Sequence, residues 1–520
     1  MANVKENKVI LQEKEILAKM LEGAKAVYDV VSSTYGPKGK NVIIEQPFGR
    51  PVITRDGITA ARAIFFSDRA KNMGAQAMIE AAETTNRNAG DATSATIGVS
   101  YKLFEYSVQA MASGIHCMDI SDSLKKDSDV LTARINELSK PVVKGQLEQV
   151  ASVSCGDPLI GKLISEAIEY VGDDGGIIAE KAPVNSIERE YVDGYYLQSG
   201  FTALQSGKKE IISPTVVVCI RPVRSKTDAF ELLTTIAKTM QIPNDGSVIP
   251  RLLLVGNIEE GAYVSIVSAI NSGAIDAIVI TPPPSFGSMA KELLEDIAIY
   301  TNCKPITDVT NMRQFDASYL GSVARVVTTK SESTIFGDVQ SEHLEMRIKD
   351  IKEAIKLEVS DLVVERLKDR VAKLEGKIAL FRIGSPTDSA REELEFRVED
   401  TINSTRNASR SGIVAGGGIT LLELSKLPDI SDISRKSLRD TFKKLLINAD
   451  LQSELKLQEA LDAPIGFGYN LRKSDKIVDI IKDGIVDARL SAEQVIINST
   501  STVANLITTG YGILLEDEKK

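Results

Sequence analysis

Val216-Val217-Val218-Cys219-Ile220, Leu252-Leu253-Leu254-Val255 and Ala277-Ile278-Val279-Ile280 are three short apolar runs in one stretch of the chain. None contains the polar residues that a helical period would interpose, so each reads as a strand buried on both faces. Helical spacing of apolar side chains fills the segments Phe230 to Met240, Ala262 to Asn271 and Met289 to Thr301. Strands alternating with helices predict βαβ units over a largely parallel sheet, and hence a separate α/β domain in the middle third.

The flanks have a different texture. Leu17, Met20, Leu21, Ala24, Val27 and Val31 recur at helical spacing, which predicts an amphipathic helix from about 10 to 33, stopped by Gly36-Pro37. Extended segments follow at Asn41 to Glu45 and Pro51 to Thr54, then a turn at Asp56-Gly57. A second helix, Met73 to Asn88, runs into Gly90-Asp91, and the pattern stays mostly helical to about 136. Past the α/β region, Leu344, Ile348, Ile351, Ile355, Val359, Leu362, Val363, Leu367, Val371 and Leu374 form one long helical stripe. It predicts a helical hairpin or a coiled-coil-like pair. The end of the chain is mainly helical, closing on Glu516-Asp517-Glu518-Lys519-Lys520, a charged tail expected to be disordered. The order is helix-rich, α/β, helix-rich, which a domain interrupted by an inserted one accounts for.

Composition narrows the function classes. A chain of 520 residues is too long for one core, so two to four domains are expected. The formal net charge of −10 argues against non-specific nucleic-acid binding, which needs basic stripes. Cys117, Cys155, Cys219 and Cys303 form no CxxC pair, and the histidines are His116 and His343 only. A disulfide framework, an imidazole zinc site and Ser-His-Asp chemistry therefore lack raw material, and a reduced cytoplasmic setting is expected. Met1 to Glu6 lead into mixed sequence without the apolar core of a signal peptide. The uncharged stretch Gln494 to Leu515 is long enough to span a bilayer but is interrupted by Asn498, Ser499, Thr500, Ser501, Thr502, Asn505, Thr508 and Thr509, so no membrane span is expected.

Three glycine turns sit beside helices: Thr34-Tyr35-Gly36-Pro37-Lys38-Gly39, Gly90-Asp91-Ala92-Thr93-Ser94-Ala95-Thr96, and Ala415-Gly416-Gly417-Gly418. Each taken alone is as well read as plain chain reversal. Alternatively, glycine allows close approach of an anion, and free N–H groups at a helix start complement phosphate. Asp91, Thr93 and Ser94 would then supply oxygen ligands to the Mg²⁺ of a nucleotide. No G-x-x-x-x-G-K-[ST] loop is present.

Taken in order, these turns and the segments between them resemble the group I chaperonins over nearly the whole chain. The matching stretches include Tyr35 to Val42, Ile53-Thr54-Arg55-Asp56-Gly57-Ile58, Asn72-Met73-Gly74-Ala75-Gln76, Pro284-Ser285-Phe286-Gly287, Leu294 to Ala298, Arg370 to Leu374, Arg397-Val398-Glu399-Asp400, Ile413 to Gly418 and Gly468-Tyr469-Asn470. The resemblance implies a multidomain α+β chaperonin fold. Its parts would be an equatorial ATPase domain (1–136 and 411–520), an intermediate domain (137–192 and 379–410) and an apical α/β domain (193–378), with hinge glycines at Gly194 and Gly376. It also implies an ATP- and Mg²⁺-dependent machine, with K⁺ possible. Thr34, Tyr35, Gly36, Pro37, Arg55, Gly57, Gly90, Asp91, Ala92, Thr93, Ser94, Gly416 and Gly417 would surround phosphates and metal, with Asp91 on the metal. Asn470 and Asp487 would contact base and ribose, and Asp56 and Asp400 would orient the attacking water.

Unfolded polypeptides would bind an apical apolar strip of Phe201, Leu204, Phe230, Leu233, Tyr263, Ile266 and Val267, whose helical members are equally well read as core. Homo-oligomeric rings of seven, single or double, and a co-chaperonin lid belong to the same implication. The chain departs from the family in four places. Its phosphate loop is one residue shorter, with Ala92 where the family has Gly or Thr. Gln205 and Ser206 replace apical residues that are usually aromatic, and the Gly-Gly-Met tail is missing. Lys443 and Gln452 stand where the family pairs Arg with Glu between rings, which leaves Lys443 without its carboxylate. The alternative function is a binding or scaffold protein on the same frame with little or no hydrolysis.

Overall fold

The structure, a computed structural model, describes residues 8–46, 51–143, 145–172, 175–182, 186–197, 199–200, 209–243, 247–282, 289–329, 332–337, 341–358, 361–473 and 476–515. Pro284 to Gly287, Phe201, Leu204, Gln205, Ser206 and the charged tail lie outside the described residues.

The chain begins with β1 (Lys8–Gln12), α1 (Glu13–Thr34), β2 (Val42–Ile44), β3 (Val52–Thr54), α2 (Gly57–Arg62) and α3 (Arg69–Ala89). There follow α4 (Thr93–Ala112), α5 (Cys117–Leu138), α6 (Gln146–Cys155) and α7 (Pro158–Val171). The middle runs β4 (Gly176–Lys181), β5 (Ile187–Leu197), β6 (Lys209–Ile212), β7 (Thr215–Val223), α8 (Lys226–Thr239), β8 (Arg251–Ile258), α9 (Glu260–Asn271), β9 (Asp276–Ile280) and α10 (Met289–Tyr300). Next come β10 (Gly321–Ser322), β11 (Arg325–Thr328), β12 (Ser333–Phe336), α11 (Glu342–Leu357), α12 (Asp361–Glu375) and β13 (Lys377–Ile383). The chain ends on α13 (Asp388–Ser411), β14 (Ile413–Ala415), α14 (Ile419–Leu424), α15 (Asp432–Asn448), α16 (Ser453–Asp462), β15 (Phe467–Tyr469), β16 (Ile477–Asp479), β17 (Val486–Ala488), α17 (Arg489–Ile507) and β18 (Tyr511–Leu515).

Two compact units result. One comprises 1–167, 179–188 and 382–520; the other comprises 168–178 and 189–381. The first unit packs α1, α3, α4, α5 and α17 around one core, in which Ile16, Met20, Val27, Met78, Ile97, Phe104, Leu124 and Ile496 are buried. Its termini pair as β1 against β18, antiparallel. No helix among the described residues is long and apolar enough to cross a membrane; Gln494 to Leu515 divides between α17 and β18.

In the second unit β7, β8 and β9 run parallel, and β10 joins antiparallel to β7. Alternate residues of each strand reach opposite cores. Val217, Cys219, Leu252, Leu254, Ala277 and Val279 pack with Ala229, Leu232 and Ile236 of α8 and Ala262 and Ile266 of α9. Val216, Val218, Leu253, Val255, Ile278 and Ile280 pack with α10, α11 and α12. Because both faces are covered, the three runs are apolar without alternation. The long apolar stripe resolves into two helices that pack on each other, α11 and α12.

Charge secures that hairpin. Asp296 of α10 is fully buried and accepts from Arg347 Nε at 3.0 Å and from Arg370 Nε at 2.7 Å; Arg370 also donates to Glu292 at 2.7 Å. One expectation is corrected here: Lys443 has a carboxylate, that of Glu454 in its own subunit.

Removing Asp296 takes the shared buried carboxylate from two largely buried guanidiniums and leaves Arg347 only Glu295 and Arg370 only Glu292. Asp296→Ala is therefore expected to cost about 3 kcal/mol. Hydrogen exchange should show faster opening across α10, α11 and α12 and unchanged protection in α17. Unchanged protection everywhere would mean that the pairs contribute nothing.

Candidate functional site

The three glycine turns are brought together within the first unit. At the first, α1 ends at Thr34, whose hydroxyl donates to Val31 O at 2.9 Å, and Tyr35 leaves the helix extended. Gly36 is left-handed (φ 82°), and Arg55 donates to its carbonyl at 2.5 Å. The Asn448 amide donates to the carbonyls of Ser32 and Tyr35, both at 2.8 Å.

At the second turn α3 closes on left-handed Gly90, and Asn407 of α13 donates to Ala89 O at 2.8 Å. Ala92 is also left-handed (φ 70°), a conformation that costs a residue with a Cβ roughly 1–2 kcal/mol. The shortened loop thus ends in strain at the residue that starts α4. No side chain caps α4, so the backbone N–H groups of its first turn stay available to an anion.

The third turn follows β14, which pairs with β17 so that Val414 faces Asp487. Gly417 and Gly418 are left-handed, and α14 likewise begins without a side-chain cap. The β15–β16 hairpin packs alongside, with Ile419 occupying the space beside Gly468. It delivers Asn470, which is buried, bonds Asp483 through its amide and accepts from Arg472 N at 3.1 Å.

Two close approaches lock these pieces. A Cβ on Gly57 would lie 2.4 Å from Ser94 Oγ and 3.3 Å from Thr93 Oγ1; one on Gly416 would lie 2.8 Å from an Asp487 carboxylate oxygen. Only glycine fits at either joint.

Four carboxylates from four segments share this place. Asp56 caps α2, accepting from Thr59 N at 2.8 Å and Thr59 Oγ1 at 2.6 Å. Asp91 accepts from Ala92 N at 2.5 Å and weakly from Ser154 Oγ at 3.4 Å. Its carboxyl is pushed above the usual range by burial, with Asp56 adding to the shift. Asp400, on α13, accepts no hydrogen bond among the described residues. Burial, then Asp56, Asp91 and Glu399, hold it well above the usual carboxylate range. Asp487 is pushed up to about 7, by burial and then Asp91. The Tyr35 hydroxyl is raised by burial, then by Asp487 and Asp91.

Such a set asks for positive charge. Yet among the described residues no three His, Cys, Asp or Glu side chains stand close enough to hold a metal by themselves. A divalent ion here would need further oxygen ligands, and an anion on the uncapped start of α4 would supply them. The residues fit a magnesium–polyphosphate pair better than a bare ion.

Sequence reasoning missed Ser154, Asn407 and Asn448, which position this site. Each acts through a contact more than 60 residues away in sequence, and no local pattern marks it.

In the second unit the apical strip is corrected in two places. Tyr263 (6% exposed) and Ile266 (0%) belong to the core between α9 and the sheet, because they share the inward face of α9 with Ala262. Phe230 on α8 is 71% exposed, and Leu233 and Val267 are half-buried. Val264, not anticipated, is also exposed on α9. Gly194 and Gly376, the expected hinge pair, touch each other: Gly194 N donates to Gly376 O at 2.8 Å, and Gly376 is left-handed.

The fold defines a class of protein: a helical unit that gathers three glycine turns and four carboxylates, interrupted in sequence by an α/β unit. The pattern of the TCP-1/cpn60 chaperonin family matches residues 27–513, and the chain belongs to that family. Among solved structures it is similar to the chaperonin gp146 from the bacteriophage EL 2 (Pseudomonas aeruginosa), crystallised in two forms in the presence of ATP-BeFx. The TM-scores are 0.72 and 0.61 at 20% identity, over 98% of this chain and 100% and 99% of the others.

The Asp487 shift has a pH signature. With a folded-state value of about 7 against 3.8 ordinarily, Asp487 holds a proton in the folded chain that it releases on unfolding between those pH values. Stability therefore falls as pH rises through that window. In nucleotide-free protein, the stability of Asp487→Asn relative to wild type should be greater at pH 8 than at pH 5 in urea melts. An equal difference at both would refute the shift.

Proposed function

We propose that this ATP-dependent chaperone subunit hydrolyses ATP at the site formed by the three glycine turns. The convergence of Asp56, Asp91, Asp400 and Asp487 beside the uncapped start of α4 carries the reading. Phosphates would rest on the backbone of Thr93 and Ser94 and on the Gly36 and Gly416-Gly417 turns. Asp91 would hold Mg²⁺, which when bound supplies charge neutralisation of the phosphates. Asn470 and Asp487 would contact base and ribose, as the family resemblance implies.

Asp400 is the group with the least protein help, and so the one free to accept a hydrogen bond from a water. A raised carboxyl, ionised once a cation offsets Asp56 and Asp91, suits a base that orients and polarises that water. Asp56, already engaged by Thr59 and the start of α2, is better placed to stay fixed while the water is oriented.

Unfolded polypeptides would be held by Phe230, Leu233, Val264 and Val267 on α8 and α9, since apolar attraction has no directional requirement and suits many clients. Homo-oligomeric rings, seven-membered as the resemblance implies, a cytoplasmic setting and a lid partner complete the proposal. Lys443 spends its charge on Glu454 within the subunit, which favours rings that stack weakly. The solution mass of the full chain with and without ATP tests this, and stable fourteen-subunit particles at high salt in both conditions would overturn weak stacking.

Asp400→Ala should slow ATP turnover by about two orders of magnitude while leaving nucleotide binding nearly intact. Asp91→Ala should lose both, as calorimetry with Mg-ATP would show. Normal turnover in Asp400→Ala removes it from the mechanism. Binding without any turnover in the wild type would instead identify a binding scaffold.

A further inference from the structure

The carboxylates are not the only charges gathered at the site. Three arginines approach it from three separate segments. Arg55, between β3 and α2, is tied to the first turn through Gly36 O. Arg397 lies on α13, one turn before Asp400, on a helix that packs against both β3 and α6. Arg472 follows Asn470 and reaches the end of α6: its guanidinium lies 3.3 Å from where a Cβ of Gly156 would stand and 3.5 Å from Val153 O. The residue between those two contacts and Asp91 is Ser154, whose hydroxyl faces Asp91.

None of the three is neutralised by the site's own carboxylates. Among the described residues Arg55 and Arg472 form no ion pair, and Arg397 pairs with Glu393 of its own helix at 3.2 Å. The Arg397 Nε is buried and has no hydrogen-bond partner among the described residues. The guanidiniums also feel one another. Burial first, then Arg472 and Arg397, lower the hold of Arg55 on its proton, with Glu393 acting the other way.

Three guanidiniums on segments that meet at the site, one of them with a buried Nε that has no partner among the described residues, favour an anion between them. Arginine donates in a planar fork that matches phosphate oxygens two at a time. The α4 start and the glycine turns offer backbone N–H groups, which accept any phosphate. The arginines add a fixed positive charge whose attraction grows with the number of phosphates in the ligand.

Resting on the ATP-site reading above, we infer that Arg397 and Arg472, with Arg55, form a cationic rim that distinguishes nucleoside triphosphate from diphosphate. Arg397 is then a positioning residue: engaging the terminal phosphate would draw the turn of α13 that bears Asp400 towards the nucleotide.

The test compares ADP with a non-hydrolysable ATP analogue, each with Mg²⁺, by calorimetry on the assembled full-length protein. Arg397→Gln and Arg472→Gln should each weaken the triphosphate analogue about tenfold and change ADP affinity by less than twofold. Arg397→Lys, which keeps the charge, should recover part of the loss. A merely structural role would weaken both nucleotides together, and that result overturns the inference, as does analogue affinity equal to wild type. If the wild type binds neither nucleotide, the ATP-site reading fails instead, and the two failures are distinct.

Discussion

Side chains packed directly against the bare Cα of a glycine are the constraint on which this structure depends. At Gly57 and Gly416 there is no space for a single methyl group. Each joint abuts residues of the proposed site, Thr93 and Ser94 in one case and Asp487 in the other. The packing that closes the helical unit thereby also fixes the distances within the site. Segments tens of residues apart in sequence are held to a few ångströms of one another by close packing, which tolerates little volume change. Function and fold share the same contacts here.

That closeness has an electrostatic consequence. Like-charged carboxylates held together in a half-buried place resist ionisation, and every shift at Asp91, Asp400 and Asp487 is upward. An empty site of this kind is a reservoir of unfavourable charge that a cation with an anionic partner relieves. Binding and stability are then linked, because whatever binds the folded chain alone stabilises it. The position of Asp400 makes the link mechanical. It rides on α13, which holds the Gly90 turn through Asn407 and carries Arg397 on the preceding turn. A ligand that alters charge at this point acts on the helix as a whole.

Much of this was legible in the residues, and for physical reasons. The runs at 216–220, 252–255 and 277–280 became β7, β8 and β9 because strands covered on both faces need no polar alternation. The helix read from about 10 to 33 is α1, but its first residues became β1, since a strand whose partner is β18 leaves no local trace. The stripe through Leu374 suggested a paired helix without showing where the chain turns. The family resemblance puts Tyr263 and Ile266 on a surface strip while helical spacing reads them equally well as core; they are core, because position on a helix face depends on what that helix packs against. Ala92 carried no sign of its left-handed backbone. Charge-cluster effects were illegible as well: the carboxyl of Asp487 is raised by burial first and then by Asp91, nearly 400 residues earlier, and neither leaves a local trace.

Mg-ATP binding followed by calorimetry on full-length protein, with EDTA in a parallel titration, addresses the central claim most directly. If four carboxylates and the open start of α4 make one composite site, each subunit binds one nucleotide tightly with Mg²⁺ and at least tenfold more weakly without it. Metal-independent binding, or none, would contradict the account.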